Sequence, residues 1–175
     1  MEIPTPDSKT KPDMKSTNKI EKLANSPFRM RLFMLWKLPL AFIARLRVDE
    51  MNMGKASISL PYNFMNKNPF RSIYFAALSM AAELSTGILA MAHVEKNPLP
   101  VSMLVLGVKA EFVKKAKTRI TFTCTQGELL EKTIALSIIE NEGKTSEVFA
   151  EGMDSSGEVV ARFWFTWTFK PKNQY

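Results

Sequence analysis

Alternating apolar and polar residues dominate the second half of the chain and predict antiparallel strands. Alternation with a period of two is typical of a strand that buries one face. It predicts strands over residues 104–112, 119–126, 146–153 and 159–170. Between the last two strands, residues 154–157 read Asp-Ser-Ser-Gly, a composition that predicts a hairpin turn. The apolar positions of the last strand are Phe163, Phe165, Trp167 and Phe169.

One further segment carries strand character. Residues 48–63 include the alternating run Lys55 to Leu60, and Pro61 ends that run. In the strand over residues 104–112, the pattern predicts one shared apolar face, formed by Leu104, Leu106, Val108, Ala110 and Phe112.

A long apolar segment precedes these strands and predicts a buried helix. Residues 72–92 are rich in Ala, Leu and Met, and Glu83 is their only charged residue. A helix that is apolar on every face is either a membrane span or the core of a domain. A carboxylate at the midpoint of a membrane span costs roughly 2.5–3.5 kcal/mol, which disfavours the first reading. The strands downstream also need a helix on which to pack, which favours the second. The sequence therefore predicts an α+β fold in which four to five antiparallel strands wrap around a long central helix.

A second helix is predicted over residues 128–142, because Leu130, Ile134 and Ile138 recur at helical spacing. Gly127 is expected to break the preceding strand, and Gly143 is expected to stop the helix. Together these elements assign residues 48–170 to one domain.

The N-terminal part of the chain is different in character. Residues 1–25 are polar and lack the apolar core of a signal peptide, so we expect a disordered tail. Residues 26–47 predict an amphipathic helical segment that starts at Ser26-Pro27 and is split by Pro39. Such a basic segment can lie on a membrane. Alternatively, it can cap an apolar groove with four large side chains, Phe33, Met34, Trp36 and Phe42.

Composition narrows the possible chemistry. Cys124 is the only cysteine and His93 the only histidine, so we expect no intramolecular disulfide, no metal site and a reducing, cytoplasmic location. The net charge of +7 suits a polyanionic partner or a phosphate-bearing ligand. The cluster Lys114, Lys115, Lys117 and Arg119 either holds the phosphates of coenzyme A or is a solvated turn, and it is too short to predict nucleic-acid binding.

Glu83 is the candidate for chemistry. Its neighbours Met80, Ala81, Ala82 and Leu84 solvate a carboxylate poorly, so its pKa should rise toward the range of a general base. N–H groups at the start of the same helix carry partial positive charge and could stabilise an oxyanion. The alternative is a structural glutamate that is hydrogen-bonded within the core or across an interface.

The order of these elements resembles the hotdog fold, and in particular the PaaI-like thioesterase superfamily and its branch of unknown function similar to the YiiD C-terminal domain. The resemblance covers roughly residues 48–170. Three segments carry it: Asn68 to Glu83 (NPFRSIYFAALSMAAE), Val108 to Lys114 (VKAEFVK) and Asp154 to Ala161 (DSSGEVVA).

The resemblance implies roles for several residues. Glu83 occupies the position of the catalytic acid, which acts as general base or nucleophile. Asn68 matches a loop residue that places water or substrate, and the backbone N–H of Phe75 matches the group that polarises the thioester carbonyl. Thr86 or Ser102 could complete the site.

One departure concerns the start of the helix, where Tyr74, Phe75 and Ala76 replace the His-Gly-Gly that the family often has. Tyr74 and Ala76 are therefore expected beside the substrate, with Phe75 between them. His93 lies too far along the helix to match the histidine of dehydratase relatives, so dehydration is disfavoured.

These features predict an acyl-CoA thioesterase that works at a groove between the subunits of a homodimer, which can pair further into a tetramer. Coenzyme A would enter only as part of the substrate, with its phosphates held by Lys114 and Lys115. A non-catalytic protein that binds acyl chains or lipids in the same groove is the alternative.

Overall fold

The computed structural model describes residues 18–172. Its helices are α1 (Lys19–Ala24), α2 (Pro27–Lys37), α3 (Pro39–Ile43), α4 (Phe75–Lys96) and α5 (Gly127–Glu140). Its strands are β1 (Arg47–Met51), β2 (Ala56–Leu60), β3 (Val101–Phe112), β4 (Ile120–Cys124), β5 (Lys144–Met153) and β6 (Val159–Pro171).

The strands form a single antiparallel sheet in the order β1-β2-β4-β5-β6-β3. Helix α4 packs against β2, β4, β5 and β6, and α5 lies beside α4 over β5 and β6. A helix in contact with four neighbouring strands requires the sheet to curve around it. The predicted α+β architecture, an antiparallel sheet wrapped around a long central helix, is therefore confirmed.

The strand count differs from the prediction, because residues 48–63 form a hairpin rather than one strand. Asn52 makes the turn: its side-chain oxygen accepts hydrogen bonds from the backbone N–H groups of Gly54 and Lys55, each at 2.9 Å. All five residues of β2 are buried, including Ser57 and Ser59, the polar residues of the alternating run. Their hydroxyls are satisfied by side chains, since Ser57 bonds to Thr123 and Ser59 accepts from Arg119.

The shared apolar face predicted for β3 is wrong. A β-bulge between Val105 and Gly107 inserts one residue relative to β6 and reverses the side-chain alternation. Val108 consequently pairs with Phe165, on the face turned toward α4, whereas Leu104 pairs with Thr168 on the opposite face.

Helix α4 is the core helix of the fold. By length and composition it could cross a membrane, but 67% of its most apolar window is buried inside the domain. Near its C-terminal end, the buried imidazole of His93 is 2.8 Å from the backbone oxygen of Met53, and burial lowers the pKa of the ring. The lone histidine therefore has a structural position.

The boundaries of α5 also differ from the prediction. Gly127 is the first residue of the helix, and only glycine fits there, because a Cβ would lie 2.0 Å from the backbone oxygen of Met53. Asn141, in the left-handed conformation with φ 52°, ends the helix two residues before Gly143.

The N-terminal segment belongs to the same core. Residues 19–24 form α1, so the tail predicted for residues 1–25 contains a helix; residues 1–17 lie outside the described part of the chain. The split at Pro39 is confirmed, with Leu38 between α2 and α3. Met34 is buried, whereas Trp36 is 76% exposed, so only one side of the segment packs into the domain.

Candidate functional site

The start of α4 is fixed by two backbone hydrogen bonds to neighbouring segments. The N–H of Ile73 donates to the carbonyl of Ala116, and the N–H of Tyr74 donates to the carbonyl of Asn66. The next two N–H groups, of Phe75 and Ala76, have no acceptor among the described residues. Such unpaired donors at a helix N-terminus carry partial positive charge and can bind a developing oxyanion.

A cavity of about 630 Å³ opens at the start of α4, and Tyr74 and Phe75 line it, whereas Ala76 is not among its lining residues. The rings of Tyr74, Phe75 and Phe112 form an aromatic chain along it, with centroid distances of 4.9 Å and 6.3 Å between successive rings. Asn68, Lys114 and Lys115 also line this cavity. The structure thus brings together five of the predicted site residues, Asn68, Tyr74, Phe75, Lys114 and Lys115.

Asn68 organises the loop that precedes α4. Its side-chain oxygen accepts hydrogen bonds from the N–H groups of Phe70 and Ser72, at 3.0 Å and 3.2 Å. Its side-chain nitrogen donates to the Ser72 hydroxyl and the Ile73 carbonyl. The amide is therefore engaged within the loop, where it positions the helix N-terminus.

The two lysines of the cavity differ in their electrostatics. Lys114 forms ion pairs with Asp154, at 2.7 Å, and with Glu158. These contacts hold the pKa of the Asp154 carboxyl well below its usual range and raise that of the Lys114 ammonium. Lys115 is exposed and forms no ion pair with any residue between 18 and 172. Of the two, Lys115 is available to an anionic ligand.

Glu83 lies two turns further along α4, outside the cavity. Its half-buried carboxylate accepts no hydrogen bond from the part of the chain that the structure describes, and burial raises its pKa. The carboxylate lies over Gly87, since a Cβ on that residue would come within 3.0 Å of Glu83 Oε1 and 3.3 Å of the Trp167 ring. Trp167 belongs to β6, next to the edge strand β3, so Glu83 faces that edge of the sheet.

Glu83 and Phe75 are eight residues apart on α4, which corresponds to a rise of about 12 Å between their backbones. Thr86 is fully buried, where its hydroxyl donates to the Glu83 carbonyl and accepts from the Trp167 indole. Ser102 lies at the start of β3, about 33 Å from Phe112 at its end.

Three contributors to the site do not follow from the sequence patterns. Periodicity assigns Phe112 only to a core-facing strand, although the residue lines the cavity and is 50% exposed. Ser72 holds the loop with Asn68, and Gly87 makes room for the Glu83 carboxylate. A glycine inside an otherwise unbroken apolar helix is the one signal that points to Gly87.

Neither the cavity nor its surroundings offer a metal site. Within residues 18–172, no group of three or more His, Cys, Asp or Glu side chains is placed to hold a metal ion. The donors at the cavity are backbone N–H groups and ammonium groups, which suit a carbonyl oxygen or a phosphate.

Comparison with known families identifies one matching domain. The model of a domain of unknown function, DUF4442, matches residues 29–169. The chain belongs to the DUF4442 family. A search of curated proteins gives no match.

Several solved structures have the same fold as this DUF4442 protein. PA5026 from Pseudomonas aeruginosa, a protein of unknown function, superposes with a TM-score of 0.72 at 19% identity, covering 83% of this chain and 97% of its own. The PaaI protein of the phenylacetic acid degradation operon of E. coli gives a TM-score of 0.58 at 14% identity, covering 83% and 94%. The Staphylococcus aureus thioesterase SAV0944 gives a TM-score of 0.58 at 16% identity, and the match covers 76% of this chain and 99% of SAV0944. The predicted hotdog fold is confirmed, and the chain shares this fold with the PaaI protein.

Proposed function

We propose that this DUF4442 protein hydrolyses acyl thioesters, with Glu83 as general base or nucleophile. The observation that carries the proposal is the desolvated Glu83 carboxylate, which stands on the central helix without a hydrogen-bond donor among the described residues. A structural glutamate is expected to have such a donor, because an unpaired buried charge is costly. A carboxylate with a raised pKa is suited to proton transfer near neutral pH.

The active site is formed between two chains. A general base and an oxyanion donor must each lie about 3 Å from the reacting groups, and a backbone rise of about 12 Å between Glu83 and Phe75 favours a site that takes them from different chains. A two-fold axis beside α4 places Glu83 of one chain opposite the Phe75 N–H of the other. The thioester carbonyl then lies between them.

The edge strand β3 is the surface through which the two chains pair. It has β6 on one side and no strand on the other in the described chain. Its inward-facing Val108 and Phe112 are 61% and 50% exposed, although the same face of β6 is buried. A long apolar edge strand is normally covered. Antiparallel pairing of two copies also places the Ser102 end of one β3 beside the Phe112 end of the other.

The Staphylococcus aureus thioesterase supports the choice of Asn68 and Glu83. Its solved variants include a glutamate replaced by alanine and a glutamine replaced by alanine, and the glutamine precedes the glutamate by fifteen residues. Asn68 precedes Glu83 by the same interval. An amide followed at this distance by a carboxylate is therefore a shared pattern.

In the reaction, Glu83 accepts a proton from a water molecule that attacks the thioester carbon. The carbonyl oxygen becomes an oxyanion that accepts from the Phe75 N–H of the other chain. The carbon–sulfur bond then breaks, and the thiolate takes up the proton held by Glu83. Lys115 binds a phosphate of coenzyme A at the mouth of the cavity, and the acyl group lies along Phe75 and Phe112.

The test combines an acyl-CoA panel with two variants that remove different halves of the site. Glu83→Gln removes the base. Phe75→Pro removes the N–H. Proline is tolerated at this position because Phe75 is the first helical residue. Tyr74 also has the extended conformation that a residue before proline adopts (φ −65°, ψ 135°). Thiol release should fall about 100-fold or more in each variant. Phe75→Ala is the control, because it removes the ring, as Phe75→Pro does, but keeps the N–H. It should hydrolyse thioesters faster than Phe75→Pro.

Mixing the two inactive variants tests the shared site. Refolding them together yields mixed dimers in which one of the two sites has both Glu83 and the Phe75 N–H intact. Thiol release should therefore recover to about a quarter of the wild-type level at an equal ratio. Hydrolysis that survives Glu83→Gln with every accepted thioester would refute the mechanism.

A non-catalytic acyl-binding protein is the second candidate. It is favoured by the Phe75 and Ala76 side chains, which stand where PaaI-like thioesterases often have glycine. These side chains hinder the approach of a thioester carbonyl to the backbone N–H groups. Acyl chains that co-purify without turnover of any thioester would support it. A cytoplasmic location and pairing of dimers into tetramers also stay predictions.

A further inference from the structure

Helix α2 presents an apolar stripe to solvent. Its buried side, with Met30 and Met34, packs into the domain, so the opposite side points outward. That side carries residues at positions i, i+4, i+7 and i+8, which lie next to one another on a helix. They are Phe28, Leu32, Leu35 and Trp36, and their exposed fractions run from 44% to 79%.

Helix α3, which follows α2 after Leu38, adds two exposed apolar side chains. Leu40 is 69% exposed and Ile43 is 48% exposed. We call the six residues of the two helices the α2–α3 face: Phe28, Leu32, Leu35, Trp36, Leu40 and Ile43. Contiguous apolar side chains of this size mark a site of interaction with a partner or a membrane.

The charges around the α2–α3 face have one sign. Residues 26–48 contain five basic residues and no acidic one. By helical spacing, Arg29 and Arg31 flank the stripe on its two sides. An apolar stripe with a basic residue on each side is typical of a helix that lies in the interface of an anionic membrane.

A basic recess adjoins the face at its Arg31 side. It is a cavity of about 480 Å³ between α2, the start of β1 and the approach to β4. Its lining combines the methionines of α2 with four guanidinium groups, from Arg31, Arg45, Arg47 and Arg119. Three of these groups contact other side chains of the domain: Arg47 pairs with Asp49, Arg119 donates to Ser59, and Arg31 stacks on Phe42.

Arg45 has no ion-pair partner among the described residues, and its backbone is in the left-handed region (φ 60°). It occupies the position after the cap of α3, where its N–H and that of Leu46 donate to the carbonyls of Phe42 and Ala41. Glycine is the usual residue at such a position. Here an arginine is present instead, and its side chain borders the recess.

We propose that the α2–α3 face docks on an anionic phospholipid membrane, with a lipid phosphate entering the recess at Arg45. Charge complementarity selects this occupant. A second copy of the chain would bring the same basic residues together across a two-fold interface, which is unfavourable. Residues 1–17 have equal numbers of lysine and acidic side chains, so they do not complement the basic face. The docking does not depend on thioester hydrolysis.

The experiment is co-sedimentation of the full chain with vesicles of phosphatidylcholine alone or of equimolar phosphatidylcholine and phosphatidylserine. Wild-type protein should bind the anionic vesicles, and salt should weaken the binding. The variants are Trp36→Ser with Leu40→Ser, and Arg29→Gln with Arg31→Gln. Each pair should lower the affinity for anionic vesicles about ten-fold or more. Because these side chains are exposed, the variants should melt at the wild-type temperature.

Ile139→Ser is the matched control, since Ile139 is 80% exposed on α5, away from the face. It should leave vesicle binding unchanged. Wild-type protein that stays in the supernatant with anionic vesicles would overturn the proposal, as would equal binding to neutral vesicles. Light scattering gives a further check: a loss of subunits in Trp36→Ser with Leu40→Ser would show that a second copy covers the face instead.

Discussion

Glu83 and Gly87 lie one turn apart on α4, and the absence of a side chain on Gly87 leaves the space that the Glu83 carboxylate occupies. A Cβ at Gly87 would be 3.0 Å from Glu83 Oε1 and 3.3 Å from Cζ2 of Trp167. The buried Trp167 ring has little freedom to move, because its indole N–H donates to Thr86. The flexible carboxylate would have to move instead.

The first prediction follows from this contact. Gly87→Ala should lower kcat for thioester hydrolysis, because it displaces the carboxylate from its position over the helix. The free energy of unfolding should fall by about 1 kcal/mol, since overpacking against Trp167 outweighs the better helix propensity of alanine. Steady-state kinetics and urea unfolding measure the two effects. Gly143→Ala is the control, because its nearest atom is 4.0 Å away, and an equal response of both variants would contradict the prediction.

The second prediction concerns stability and pH. Burial raises the pKa of Glu83 above 4.5, so the folded protein binds the proton more tightly than the unfolded chain does. The contribution of Glu83 to stability is therefore greatest below pH 4.5 and is lost as pH rises through the folded-state pKa.

Glu83→Gln replaces the carboxyl with a group that does not titrate, so the loss of stability with rising pH that Glu83 causes should disappear. At neutral pH the variant should have a higher free energy of unfolding than wild-type protein, and the difference should vanish in acid. Chemical unfolding at several pH values measures it, with Glu147→Gln, an exposed position, as the control. A variant that is less stable than wild-type protein at neutral pH would show that Glu83 has a stabilising partner in the assembled protein.

Local patterns explain why much of this fold is predictable. Strands β4, β5 and β6 alternate regularly because each buries one face, and the lone charge in an apolar helix identifies Glu83 from the sequence alone. The hairpin β1–β2 escapes prediction because its turn depends on the Asn52 side chain. The bulge in β3 leaves no mark in the sequence, since Leu104, Leu106 and Val108 continue the same apolar alternation across it.

The site is less predictable, because its parts depend on tertiary distances. Asn68, Phe75 and Lys115 can be grouped from their order along the chain, but the separation of Glu83 from the Phe75 N–H follows only from helix geometry. The role of Phe112 depends on which strand ends beside the start of α4. The position of Phe112 is therefore a property of packing, on which periodicity carries no information.

The third prediction distinguishes the two lysines of the cavity. Lys115→Met should raise KM for acyl-CoA substrates about five-fold and should leave acyl-pantetheine thioesters, which lack the nucleotide phosphates, unaffected. Steady-state kinetics with both substrates measure this effect. An equal rise of KM for both substrates would exclude a contact between Lys115 and the nucleotide.

Lys114→Met should act on stability instead. The ion pair with Lys114 holds the pKa of Asp154 low, so its stabilisation is present at neutral pH and is lost as pH falls through the folded-state pKa. The variant should therefore be less stable than wild-type protein at neutral pH, and the difference should shrink in strong acid. Chemical unfolding at several pH values measures it, and a difference that is independent of pH would contradict this role.

The fourth prediction tests the edge of the sheet. Val108 faces the α4 side of β3, next to the open edge, and is 61% exposed in the single chain. Val108→Lys places a charge where the partner strand and helix would pack, which is how natural proteins keep edge strands from pairing. We expect a folded monomer with no thioester hydrolysis, because the proposed mechanism takes Glu83 and the Phe75 N–H of each site from different chains.

Light scattering and circular dichroism measure the assembly and the folding of this variant. Ile139→Lys, an equally drastic change at an exposed position of α5, should leave both the dimer and the activity unchanged. A monomeric Val108→Lys variant that retains full activity would mean that one chain suffices. The separation of about 12 Å along α4 would then have to be bridged by a water chain or by a bend of the helix, and not by a second subunit.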